Sequence, residues 1–227
     1  MHQHNINRKQ VEKKNTTKGK QILKRAEWDT LLNEVKTLCP EAFTNNGDIL
    51  NLINGSWQDV GNLKPFTSSI DGTLLGYYPM LKAQAGKMAV EYCAKEFINW
   101  KKVDLDKRKE LVAQTLQEIE YHKELLAYLL VWEIGKPYQQ SLDSVERCID
   151  GVRWYVEHIE SMLKDRTPLG VISNIASWNY PLSVLVHACL VQVLSGNAVI
   201  AKTPSDGGVW SLTVCFAIAK RNGLPVS

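Results

Sequence analysis

The sequence predicts an α/β protein with a parallel, doubly wound but incomplete sheet near its C-terminal end, preceded by helices and β-hairpin pieces. Three observations predict it. Residues 169–175, LGVISNI, and 198–202, AVIAK, are short and almost continuously apolar, the pattern of strands covered on both faces. Each is followed by an apolar helical stretch, PLSVLVHACLVQVL from Pro181 and WSLTVCFAIAKRN from Trp210. Strand, helix, strand, helix is the order that parallel winding requires.

The upstream elements follow from periodicity and punctuation. Residues 27–38, EWDTLLNEVKTL, have the apolar spacing of a short amphipathic helix. DILNLINGSWQDV and FTSSIDGTLLGYYP each break an apolar run with Asn-Gly or Asp-Gly, a hairpin signal. A helix is predicted over 82–99, with Ala85, Met88, Ala89, Tyr92 and Phe97 on one side. A single long helix is predicted over 105–134, starting after Asp104 as N-cap and stopping before Gly-Lys-Pro. Its stripe is Leu111, Leu116, Ile119, Leu125, Leu126 and Leu129. A third runs over 138–163, with Val145, Ile149, Val152, Tyr155, Val156 and Ile159 inward. These stripes are read as core, without chemistry. Pro181 at the first turn and Gly196 past the end bound the next helix.

Composition narrows the class. Of 227 residues, 44% are hydrophobic and 22% charged, as in ordinary globular domains. The net charge is only +3, so no nucleic-acid partner is expected for the chain as a whole. Residues 1–25 hold eight Lys or Arg against one acid, Glu12, and almost nothing apolar. That segment is expected to be a disordered, solvated tail. Five scattered cysteines, never in a C-x-x-C pair, argue against a disulfide framework or zinc site. The N-terminus has no apolar signal region, and the apolar run Leu182–Leu194 is too short to span a bilayer. A cytoplasmic location without membrane contact is expected.

Packing leaves two polar groups unexplained. Asn179 and Lys202 stand just past the carboxyl ends of the two apolar strands, where ligands bind in open parallel sheets. A helix begins soon after each, and its free N–H groups suit a phosphate or an oxyanion. Asn179 is also placed to cap the helix at Pro181, and Lys202 to be a surface lysine. His187 is read as a core histidine. Cys189 and Cys215 have no neighbouring base in sequence and are not taken as nucleophiles.

The stretch PLGVISNIASWNYPLSVLVHACLVQVLSGNAVIAKTPSDG resembles the cofactor-domain segment of the aldehyde dehydrogenase superfamily. That family carries Pro-Leu-Gly-Val, Pro-Trp-Asn-Phe-Pro, Ala-Gly-Asn-x-Val and Lys-Pro-Ser-Glu in this order. INGSWQD, LVWEIGKP and RNGLPVS extend the resemblance over about residues 50–227. It implies a Rossmann-like fold and NAD(P)-dependent oxidation of an aldehyde to a carboxylic acid. It implies that Asn179 donates to the reaction's oxyanion and that Lys202 binds the adenosine ribose of NAD or NADP. By the same match Ile175, Ala176, Ser177 and Trp178 line the cofactor cleft, and Ser205 and Asp206 belong to the ribose turn. The family's catalytic cysteine, general-base glutamate and pyrophosphate turn are expected beyond residue 227. Residues 26–227 are accordingly read as the N-terminal part of a cofactor domain, inactive alone and a homo-oligomer when full length. The chain departs from the pattern at Ser177, where the family has proline, and at Thr203, which shifts the ribose acid to Asp206. Reduction of an acyl-CoA or acyl phosphate, and a non-catalytic interaction module, stay open as alternatives.

Overall fold

The computed structural model describes residues 27–175 and 177–227. The basic tail and Ala176 lie outside the described residues. Helix α1 (Trp28–Leu38) buries Trp28, Leu31 and Val35, a spacing of three and four that makes one stripe. Strands β1 (Asn51–Ile53) and β2 (Ser56–Gln58) form the first hairpin. Asn54 and Gly55 both take positive φ, 52° and 77°, as a two-residue turn of this hand requires. Strands β3 (Asn62–Thr67) and β4 (Leu74–Met80) form the second, in register from Asn62↔Met80.

Helix α2 (Ala83–Trp100) follows, and then the largest departure from expectation. The stretch predicted as one helix over 105–134 is two, α3 (Leu105–Tyr121) and α4 (Lys123–Ile134). His122, at φ −100° and ψ 17°, leaves the helical region between them. The break lets α4 turn into the core. Leu125, Leu126, Ala127, Leu129 and Leu130 are buried on several sides of it, against α1, α5 (Tyr138–Leu163) and later elements. Asp104 does occupy the N-cap position of α3, but its side chain makes no capping hydrogen bond. Gly135, at φ 68°, ends α4 in the left-handed conformation.

The parallel pair is β5 (Val171–Ile175) and β6 (Ala198–Lys202), in register from Val171↔Ala198 to Ile175↔Lys202. Pro225–Ser227 joins the other edge of β6: Val199 N–H donates to Pro225 O (3.0 Å) and Ala201 N–H to Ser227 O (2.8 Å). The pair packs against α2 and α6 (His187–Leu194). Cover on both faces, expected for both strands, holds for the start of β6 but not for β5. Ala198 and Val199 are buried, whereas no residue of β5 is fully buried and Ile175 is 79% exposed. β5 is also the edge strand of the pair, with no strand on its outer side among the described residues. The helix expected from Pro181 opens instead as a π-helical turn, Pro181–Val186, before α6. His187 N–H donates five residues back to Leu182 O. Helix α7 (Val209–Arg221) is buried along most of its length. One apolar cluster runs from Trp28 to Val226, so the hairpins, helices and parallel pair share a core.

Candidate functional site

Register brings two loops together. Because Ile175 sits beside Lys202, the chain leaves β5 and β6 at one end of the sheet, residues 177–180 from one and 203–208 from the other. The loops are in contact. A Cβ placed on Gly208 would lie 2.5 Å from Pro181 Cβ, and one on Gly207 3.5 Å from Trp178 O. Gly208 also takes φ 79°, a conformation glycine adopts without steric cost. The Gly-Gly of PSDGG is what allows this close approach.

Ser177, Trp178, Asn179 and Tyr180 are exposed along the first loop, as is Ile175 before it. The Asn179 carboxamide oxygen accepts a hydrogen bond from Ser177 Oγ, so the residue that replaces the family's proline tethers this side chain. The amide N–H groups of Asn179 have no acceptor among the described residues. The helix that follows has Tyr180 at its N-cap and no side-chain cap. The capping role weighed for Asn179 is therefore not the one it plays here.

On the second loop Lys202 and Asp206 are exposed and Ser205 half-buried. Lys202 and Ser205 border a cavity of about 360 Å³, walled also by Tyr78, Val209, Thr213 and Phe216. Its far side is formed by residues 49–53 and 78–83. Ile175, Ser177, Trp178, Asn179 and Asp206 do not line it. Asp206 is felt at Tyr78, whose phenol is pushed up by burial first and by that negative charge second. Tyr78 Oη lies 3.4 Å from Ser205 O, as donor to it.

Sequence reasoning missed two residues at the end of α4. Glu133 is fully buried, and its carboxylate accepts from Trp210 N–H (2.6 Å) and Ser211 N–H (3.2 Å). The first-turn amides of α7 are thus occupied by an internal acid. The expectation that they are free for a phosphate is corrected: the Glu133 carboxyl oxygens already take the place of an external acceptor at this helix end. Burial pushes the Glu133 carboxyl up to about 7, against the opposing pull of those amides. The signal was present in LLVWEIGKP: an acid inside an apolar helix end needs donors from elsewhere. Lys136 donates from Nζ to Asn179 O (3.0 Å) and stands 4.0 Å from the Tyr180 ring centroid. Burial, then Arg147, lowers its ammonium pKa.

The thiols are not poised for attack. All five cysteines are free and buried, and burial raises each. Cys93 is pushed up to about 11, Cys39 and Cys148 to about 12, and Cys189 and Cys215 further still. A nucleophilic cysteine needs the opposite shift. His187 is half-buried, lowered by burial, and packed edge-on against Tyr155 at 5.9 Å. Among the described residues no cluster suits a metal ion, and no helix is long and apolar enough to cross a membrane.

Polar loops converging at the carboxyl ends of parallel strands define the ligand-binding end of an α/β protein. The chain belongs to the aldehyde dehydrogenase family, whose model matches residues 57–227. It is 25% identical over 189 residues to the non-phosphorylating aspartate-semialdehyde dehydrogenase of Halomonas elongata, covering 76% of this chain and 38% of that protein. It is also 25% identical over 171 residues to the NADP(+) D-glyceraldehyde dehydrogenase of Picrophilus torridus, covering 68% of this chain and 34% of that one. Among solved structures, the NAD-bound 1-pyrroline-5-carboxylate dehydrogenase from Thermus superposes with a TM-score of 0.73 at 24% identity, over 89% of this chain and 42% of that one. The chain thus spans about two-fifths of the length of such relatives or less.

Proposed function

We propose that this chain supplies the nicotinamide-cofactor side of an aldehyde-oxidising centre, with Lys202 on the adenosine ribose and Asn179 as an oxyanion donor. The observation that carries the reading is the Ile175↔Lys202 register, which sets both loops at one end of the parallel pair. Asn179 suits its role by orientation. Its carboxamide oxygen is engaged by Ser177, so its N–H groups are left to donate to charge that develops on an aldehyde oxygen. One such donor lowers a barrier by about 3 kcal/mol.

The residues present fit a dinucleotide at one end. The cavity beside Lys202 and Ser205 is walled by Tyr78 and Phe216, and its size suits a flat heterocycle. Lys202 and Ser205 would hold the ribose hydroxyls, and Ile175, Ala176, Ser177 and Trp178 would flank the cofactor's course. The pyrophosphate does not belong on α7, whose amides are occupied by Glu133. When bound, the cofactor supplies a hydride acceptor. Asp206 would repel a 2′-phosphate, favouring NAD⁺ over NADP⁺. The nucleophile is assigned to none of the five buried thiols.

Calorimetric titration of the chain with NAD⁺ and NADP⁺ tests the reading. Wild type is expected to bind, and Lys202→Ala to weaken binding about tenfold by deleting a charged hydrogen-bond donor. No binding of either dinucleotide, or binding indifferent to Lys202→Ala, would remove this residue from the site.

A further inference from the structure

We propose that Lys136 is a positioning residue that holds the Asn179 loop in place, an inference that rests on the role given to Asn179 above. Helix α4 ends at Ile134, and the left-handed Gly135 turns the chain so that Lys136 points toward residues 177–181. Its ammonium donates to the Asn179 carbonyl (3.0 Å) and faces the Tyr180 ring (4.0 Å). One cation therefore grips two successive residues, the first through its backbone and the second through its aromatic face.

Beyond the packing of Gly207 and Gly208 against Trp178 and Pro181, Lys136 provides the hydrogen bond that reaches this loop from outside it. Residues 177–180 are exposed, and the Ser177–Asn179 bond is internal to the loop, so it moves with it. Pinning the Asn179 carbonyl restricts ψ at that residue, and the direction of the carboxamide follows from the backbone. The same short segment reaches the opposite loop. Glu133 holds the α7 amides, and Ile134 fills the space beside Gly207, where a Cβ would come within 2.3 Å of Ile134 Cγ2. Residues 133–136 thus form a brace from the Asn179 loop to the Lys202 loop, and Lys136 supplies its hydrogen bond to Asn179.

The test uses the whole 227-residue chain and two substitutions. Lys136→Met keeps the apolar stem and removes the charge and donors; Lys136→Arg keeps charge, donors and a group that stacks on tyrosine. Backbone ¹⁵N order parameters for residues 177–182 are read alongside the melting temperature and the NAD⁺ affinity. In Lys136→Met they are expected to fall from about 0.85 to below about 0.6, with NAD⁺ affinity several-fold weaker and the melting temperature nearly unchanged. Lys136→Arg is expected to restore both loop order and affinity. Unchanged order in Lys136→Met, a general loss of stability instead of a local one, or failure of arginine to rescue would each overturn the proposal. If wild type binds no NAD⁺, the cofactor reading fails by itself, and the order parameters still decide the role of Lys136.

Discussion

Trp210→Ala is expected to cost about 4 kcal/mol of folding stability, the upper part of the range for truncating a large core side chain. Trp210 opens α7 and is 1% exposed. Its ring stacks on Phe43 (5.3 Å, 19°) and meets Trp28 edge-on (5.5 Å, 80°). Gly76 lies so close that a Cβ there would sit 2.7 Å from the indole. The first helix, the segment before the first hairpin and the second hairpin therefore converge on one side chain, and alanine would leave a cavity that rigid neighbours cannot fill. Trp210 Nε1 is buried without an acceptor. Trp210→Phe removes that orphan donor while keeping most of the packing, and should cost well under half as much. Urea denaturation of the three proteins measures this. A cost below about 1 kcal/mol for alanine would mean that the N-terminal helix and hairpins do not anchor the second site loop.

The second large effect is a dependence on pH. The Glu133 carboxyl is raised from 4.5 to about 7 in the folded chain. Between those values the folded state holds a proton that the unfolded state has released. The stability it contributes is therefore full below pH 4.5 and is lost as pH rises through about 7. The loss amounts to about 3 kcal/mol in total at the far side of that window. Glu133→Gln cannot titrate at this position, so wild type should lose stability relative to it between about pH 5 and pH 8. Glu133→Ala should be destabilised at both, because it strands the Trp210 and Ser211 amides in the core. Denaturation curves at the two pH values, for wild type and both variants, separate proton linkage from capping. A wild-type profile that parallels that of Glu133→Gln would mean that the carboxyl is ionised across the range.

Both effects concern the start of α7, which the sequence displayed only in part. Asn179 and Lys202 stood out because a polar group at the end of an apolar strand has no packing reason to be there. The hairpin of Asn54 and Gly55 was legible because positive φ at successive residues restricts the choice of side chain. Glu133 and Lys136 were not legible as partners of the loops. Glu133 meets Trp210 across 77 positions and Lys136 meets Asn179 across 43, and no local pattern encodes such pairings. The break at His122 was hidden for a related reason. The apolar stripe resumes on both sides of it, at Ile119 and Leu125, although residues 120–124 leave it empty in between, and what bends the chain there is the demand of the core for an α4 buried on several sides. The exposure of β5 was likewise invisible, since an apolar run looks the same at an edge and in the middle of a sheet.

The placement of a dinucleotide over both loops is most directly tested by mapping NAD⁺ onto the chain through amide chemical-shift changes in a ¹⁵N-labelled sample. The account predicts that shifts concentrate in residues 175–180 and 202–206, with smaller ones at Tyr78 and Phe216 in the cavity wall. Shifts confined to other parts of the chain, or to one loop without its neighbour, would contradict it.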